Sequence, residues 1–329
     1  MKLRNHKFLW FCVYIIISLS GQIALAQKSK KEIFRAFNSD SAYSFIEKQL
    51  SFGPRVPGME GHAKCANFIK DKLKFYGASV KRQSFTAYAY DSTKLNLQNI
   101  IGSYNPEASK RILLAAHWDT RPFADKDSIN KNQPIPGAND GGSGTAVLLE
   151  IARILQKHPL SDIGVDMIFF DGEDFGEPQG YKMVKTLQNA GAVWWCLGSQ
   201  YWSKNMHHPD YSAKFGILLD MVGGKNARFF KEGGSMQFAK KYVNKVWKNA
   251  KQLGYDDHFI NEKTRGIMDD HIFVSRDAAI PMINIIEYHH EHDNYFPDYH
   301  HTHGDNLSII DKKTLQVVGE TVLFVIYNE

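Results

Sequence analysis

The stretch MIFFDGEDFGE, Met167 to Glu177, decides how the rest of the chain is read. Met167-Ile168-Phe169-Phe170 is an unbroken apolar run, the pattern of a strand buried on both faces of a sheet. It stops at Asp171-Gly172 and then sets Glu173 and Asp174 side by side. Adjacent carboxylates at the end of a buried strand repel each other, so something must offset their charge. Sheets built from such strands are covered by helices and take ligands beyond the carboxyl ends of their strands.

Outward from this stretch, β and α patterns alternate. Apolar runs predict strands at Val80–Phe85, Leu95–Tyr104, Arg111–His117, Gly164–Phe170, Phe215–Val222 and Met282–Glu287. Helical periodicity marks Lys31–Leu50 (broken near Ser39-Asp40), Glu60–Tyr76, Gly142–Gln156, Gln237–Leu253 and Lys312–Asn328. SFGPRVPGMEGH reads as a loop. No repeat or linker divides residues 27–329, which predicts one α/β domain. Its central sheet is mixed, mostly parallel, and sandwiched by helices.

The chain has 329 residues, 43% hydrophobic and 23% charged, enough for one large domain with a full core. Residues 1–26 combine Lys2, Arg4 and Lys7 with an apolar run near Phe8–Ile17, then Ala24-Leu25-Ala26. That is the pattern of a cleaved signal peptide, too short for a stable membrane span. It predicts export, to a periplasm, of a mature chain 27–329, with anchoring to the inner membrane the other reading if the segment is not cleaved. Without those three cations the net charge falls from +5 to +2, which gives no electrostatic case for nucleic acid. Cys65 and Cys196 lack the spacing of a zinc motif and read as two buried thiols or one disulfide.

Polar motifs stand at the strand ends. RILLAAHWDT closes on His117-Trp118-Asp119, and PGANDGGSG puts Asp140 in a Gly-rich turn before a helix. FGILLDMVGG carries Asp220, IMDDHIFV supplies Asp269-Asp270-His271, and YHHTHGDN supplies His300, His301, His303 and Asp305. One such residue is weak evidence; a set repeated at successive strand ends describes a site. Carboxylates with imidazoles are the donor set of zinc and similar cations. A cation on Asp174 would neutralise it and let Glu173 act beside it as a general base. Consecutive residues in an extended turn point different ways, one to metal and one to substrate. His207-His208 and His289-His290-His292 read as surface histidines, and Asp171 as a turn cap. Asp269-Asp270 reads equally as a helix N-cap pair. GANDGGSG lacks the Lys and glycine spacing of phosphate-binding loops.

At these residues the sequence resembles the M28 zinc-peptidase fold. His117-x-Asp119, the Asp140 turn, Glu173-Asp174, Asp220 and the His-Thr-x-x-Asp of His301 to Asp305 share its order and spacing. Within that fold FFDGED, DDHIFV and HWDTRPFADKD are similar to the glutaminyl cyclases of animals and some bacteria. In the aminopeptidases a Gly-Ser follows the acidic pair closely; here Gly198-Ser199 comes after an insertion of about two dozen residues. The resemblance implies an acyltransferase that converts N-terminal glutamine of peptides or proteins to pyroglutamate and ammonia. It implies one Zn²⁺ per chain, held by Asp140, Asp174 and His301, with Glu173 as general acid/base. Asp269 would hydrogen-bond the leaving nitrogen, Asp220 would accept from the α-amine, and His117 would be a remnant of a second metal site. A monomer is expected.

Departures from the animal pattern are His300 in place of a Trp and Asn284 in place of a His. The pocket wall must then come from elsewhere. Trp194, Trp195 and Trp202 are candidates, with core packing the other reading of each. Two further functions fit the fold. In a two-zinc aminopeptidase, His117 and Asp220, bridged by Asp140, would hold the second metal. A non-catalytic binding module should have lost Glu173 or a ligand, and none is lost.

Overall fold

The computed structural model describes residues 33–183 and 193–329, so the signal-peptide reading lies outside the described residues. The strands are β1 (Ser79–Tyr88), β2 (Lys94–Tyr104), β3 (Arg111–His117), β4 (Gly164–Phe170), β5 (Phe215–Asp220), β6 (Phe229–Lys231), β7 (Phe259–Lys263) and β8 (Met282–Ile286). Six of them form one sheet in the order β1-β2-β4-β3-β5-β8. The pairs β1–β2 and β2–β4 are antiparallel; β4–β3, β3–β5 and β5–β8 are parallel. The sheet is mixed and mostly parallel, as the apolar runs predict. β3 and β4 occupy the predicted residues, and the other strands shift by a few residues at their ends. The β6–β7 pair is too short to show a period in the sequence.

The helices are α1 (Ser39–Leu50), α2 (Glu60–Phe75), α3 (Gly142–Lys157), α4 (Leu197–Lys204), α5 (Gly233–Gln252), α6 (Asp270–Asp277) and α7 (Lys312–Tyr327). Alternation along the strands sorts their side chains into two cores. Ile112, Leu114 and Ala116 of β3 join the larger core with residues of α1, α2, α3, α5 and α7. Leu113 and Ala115 face the other way, into a smaller core with Trp202 of α4 and Val274 of α6. Helices therefore cover both faces, and β3, buried along its whole length, lies inside the sheet. Gly144 of α3 lets that helix approach β5, since a Cβ there would collide with the Leu219 carbonyl. Cys65 and Cys196 are buried free thiols. Among the described residues no helix is long and apolar enough to cross a membrane.

A buried carboxylate fixes the start of α5. Glu232 is its N-cap and accepts from the backbone N–H of Gly234, Ser235 and Ile267, each at 2.7 Å. His271 Nε2 lies 3.0 Å from it. Burial pushes this carboxyl up, but His271 and the backbone donors outweigh it and hold the group down at about 2. A value lower in the folded than in the unfolded chain stabilises fully above the ordinary carboxylate value, and the gain is lost as pH falls through it. Glu232→Gln should therefore cost about 1–3 kcal/mol at pH 7. In urea titrations across pH, its deficit against wild type should shrink between about pH 5 and pH 2.

Candidate active site

Parallel pairing brings the carboxyl ends of β4, β3 and β5 side by side. His117 ends β3, Asp220 ends β5, and the Asp171–Asp174 turn follows β4. The Gly-rich turn before α3 adds Asp140; Gly141, at φ 74, passes so close to the Asp119 carbonyl that no side chain fits. His301 arrives from the segment between β8 and α7, itself left-handed at φ 60. A non-glycine residue in that region is strained, and such strain gathers at functional sites.

His301 Nε2 lies 3.1 Å from Asp174 Oδ1 and 3.6 Å from Asp140 Oδ2. All three residues are buried, and among the described residues neither Asp174 oxygen receives a hydrogen bond. Burial and the neighbouring Asp140 push Asp174 well above the usual carboxylate range, with Arg121 and His117 pulling the other way. Burial, helped by Arg121, drives His301 well below the usual histidine value, so its imidazole is neutral and able to ligate. Two carboxylates and a neutral imidazole fit a divalent cation of zinc's class. His300 also comes near: Asp140, His300 and His301 each offer a ligand atom within 4.8 Å of the others. Its Nε2, however, is 3.9 Å from Asp140, and its Nδ1 is 2.5 Å from Lys126 Nζ. His303 pairs with Asp127 at 2.8 Å, outside this cluster. His301 alone of the three lies near both carboxylates, in line with the His-Thr-x-x-Asp register.

A second trio overlaps the first. His117 Nε2 is 3.0 Å from Asp140 Oδ1 and 3.2 Å from Asp220 Oδ1. These are the donors that a second metal would use.

Glu173, Asp220 and Asp269 line a cavity of about 500 Å³, with Asp140, His301, Trp195 and Ile286. Glu173, Cys196 and Asp269 bring ligand-type atoms within 4.8 Å of one another, and Cys196 Sγ donates to Glu173 Oε1 at 3.1 Å. Burial raises the Glu173 carboxyl well above its ordinary value; Asp269, Asp174 and Asp270 add to this and His117 opposes it. Asp269 lines the cavity and is also the N-cap of α6. It caps α6 through the Asp270 N–H, and it accepts from Asn284 Nδ2 at 2.6 Å. Of the three tryptophans only Trp195 lines the cavity, its ring parallel to His301 at 5.8 Å and 4.6 Å below the Arg121 guanidinium. Trp194 meets Tyr181 edge-on instead. Trp202 is a correction: it is fully buried in the smaller core and donates to His207 Nδ1.

Supporting residues carry little signal in the sequence. Asp119 accepts from the N–H of both Glu173 and Asp174 at 3.1 Å, which fixes the acidic turn. Asp305 does the same for Asn139 and Asp140, at 2.7 and 3.0 Å. Arg121 donates to the Asp174 and Glu177 carbonyls and chelates Asp125. Arg55, from the loop before α2, spends its fully buried guanidinium on the carbonyls of Trp118, Pro136 and Gly137 at 2.9, 3.0 and 2.6 Å. Asp171 is structural, paired with His62 at 2.9 Å.

A model of peptidase family M28 matches residues 99–326. The chain belongs to peptidase family M28. A solved glutaminyl cyclase from Bacteroides thetaiotaomicron is 51% identical over 89% of this chain and 98% of that one, with a TM-score of 0.84. A Zn-dependent exopeptidase from Parabacteroides distasonis is 48% identical over 89% and 99%, with a TM-score of 0.85. The glutaminyl-peptide cyclotransferase of Drosophila melanogaster is 26% identical over 287 residues, 79% of this chain and 73% of that one. The M28 resemblance read from the motifs, and its leaning towards the cyclases, is borne out along the chain.

Within this M28 site the acidic turn depends on Asp119. Asp119→Ala leaves two amides of the turn unpaired, that of Asp174 buried and that of Glu173 half-buried, and should cost roughly 2–4 kcal/mol of stability. Asp174→Ala should instead leave the fold standing and lose the metal. Thermal unfolding and metal content by atomic emission, measured on both variants, separate the two effects.

Proposed function

We propose that this chain is a zinc-dependent glutaminyl cyclase that turns the N-terminal glutamine of peptides and proteins into pyroglutamate with release of ammonia. The observation that carries the reading is Glu173. This half-buried carboxyl lines the cavity next to Asp174, its affinity for a proton raised by desolvation, in a chain about half identical to a solved glutaminyl cyclase.

Asp140, Asp174 and His301 would hold one zinc ion, which would supply Lewis-acid polarisation of the substrate's side-chain amide carbonyl. The protein's own residues do the rest. The reaction is intramolecular, so the site's task is to orient the α-amine against the side-chain amide. Asp220 accepts a hydrogen bond from the α-amine. Glu173 removes a proton from that nitrogen as its bond to the side-chain carboxamide carbon forms. It then delivers the proton to the amide nitrogen, which leaves as ammonia while Asp269 holds it. Trp195 closes one wall and limits the depth available to a side chain. The basic and apolar pattern of residues 1–26 supports export to a periplasm, with an inner-membrane anchor the alternative if that segment is retained.

A second reading, a two-zinc aminopeptidase, is favoured by the His117–Asp140–Asp220 trio. The test is ammonia release from a Gln-initiated peptide beside an unblocked Leu-initiated one, after chelation and zinc add-back. A cyclase gives zinc-dependent ammonia and leaves the Leu peptide intact. Cleavage of the Leu peptide without ammonia would establish the aminopeptidase. Glu173→Gln should keep its zinc and lose roughly 10²–10⁴-fold in kcat; an unchanged rate would remove Glu173 from the base role.

A further inference from the structure

The rim of the cavity carries donors that the site above does not use. After β8 the chain runs Glu287-Tyr288-His289-His290-Glu291-His292-Asp293. His289, Glu291 and His292 each offer one ligand atom, all within 4.8 Å of one another. The hydrogen bonds around them are more specific than a surface histidine run requires. Glu287 is buried, accepts from Tyr299 Oη at 2.5 Å, and lies 2.9 Å from His289 Nε2. A carboxylate already accepting in this way takes the His289 Nε2–H as a further donor, which turns Nδ1 outward. That Nδ1 is 3.1 Å from Glu291 Oε1. His292 repeats the arrangement with its nitrogens exchanged. Its Nδ1 donates to the Phe296 carbonyl at 2.5 Å, and its Nε2 is 3.6 Å from Asp298 Oδ1.

Each imidazole therefore has one nitrogen anchored to a protein acceptor and the other turned towards a carboxylate. Metal-binding histidines are oriented in this way, by a carboxylate or a backbone carbonyl behind the ring. Donors about 2.1 Å from a tetrahedral ion sit roughly 3.4 Å apart. The His289–Glu291 separation here, 3.1 Å, is close to that value.

We propose that His289, Glu291 and His292 form a peripheral site for a borderline divalent cation such as zinc. The site is separate from the Asp140–Asp174–His301 trio but tied to the same wall. Phe296, whose carbonyl anchors His292, stacks on His300 at 4.1 Å, and both line the cavity. An ion at this site would brace the cavity rim, whatever reaction the cavity performs.

The test is calorimetric titration of zinc chloride into the full chain carrying its tightly held metal, with bound zinc counted by atomic emission. His292→Ala and Glu291→Gln are measured beside the wild type. Glu291 is exposed, its other neighbour being Arg228 at 3.4 Å, so its replacement leaves the fold intact. The wild type should take up one further equivalent with a Kd on the order of micromolar. Both variants should keep the tightly held metal and lose the further equivalent, or bind it at least tenfold more weakly. No further uptake by the wild type, or equal uptake by all three proteins, overturns the proposal.

Discussion

Asp140 and Asp174 approach the same imidazole nitrogen from two sides, and both are buried. Glu173, Asp220 and Asp269 share the neighbourhood, as do Asp119 and Asp305 behind them. Taking so many carboxylates out of water is costly unless each meets donors or a cation. The molecule solves this unevenly. Asp119 and Asp305 are satisfied by backbone N–H groups, Asp269 by Asn284 and the Asp270 amide, and Asp220 by His117. Asp174 is left with neither oxygen hydrogen-bonded among the described residues, close to a neutral imidazole. The division separates the acids that build the frame from Asp174, which is free to meet a positive ion.

The adjacency of Glu173 and Asp174 follows from this arrangement. In the proposed function one side chain would hold the cation and the other would meet the substrate, and the turn after β4 is tight enough to present both. Asp119 supports the turn from below by accepting from both amides, and Arg121 supports it from the side through the Asp174 carbonyl. Cys196 completes the surroundings of Glu173 from the start of α4, in a left-handed conformation at φ 59. Glu173 and its turn are thus held by neighbours from two separated parts of the chain, residues 119–121 and Cys196.

Much of this is legible in the sequence, for a definite reason. Strands buried on both faces leave long apolar runs, and a polar residue that ends such a run stands where ligands bind. His117, Glu173, Asp174 and Asp220 are found by that rule alone. Asp140, Asp269 and His301 sit in turns without periodicity, and motif resemblance is needed to place them. Arg55 and Arg121 are invisible to both methods. A guanidinium that serves main-chain carbonyls leaves no spacing, and only the folded chain shows which carbonyls converge on it. Trp202 fails for the opposite reason: an indole has the same signature in a core as in a pocket, and its single N–H finds His207 inside. The short α4 and the β6–β7 pair exist through packing on neighbours, not through any period of their own.

The order β4-β3-β5 has one further consequence. Backbone hydrogen bonds keep neighbouring strands about 4.8 Å apart, so the sheet acts as a ruler that spaces the groups mounted on its edge. The ruler is indifferent to what is mounted. Lengthening the segment between Asp174 and Gly198, or exchanging the aromatic that closes the cavity, alters what enters without moving any strand. One scaffold can therefore pass between cutting a peptide and closing a ring through changes confined to its connecting segments.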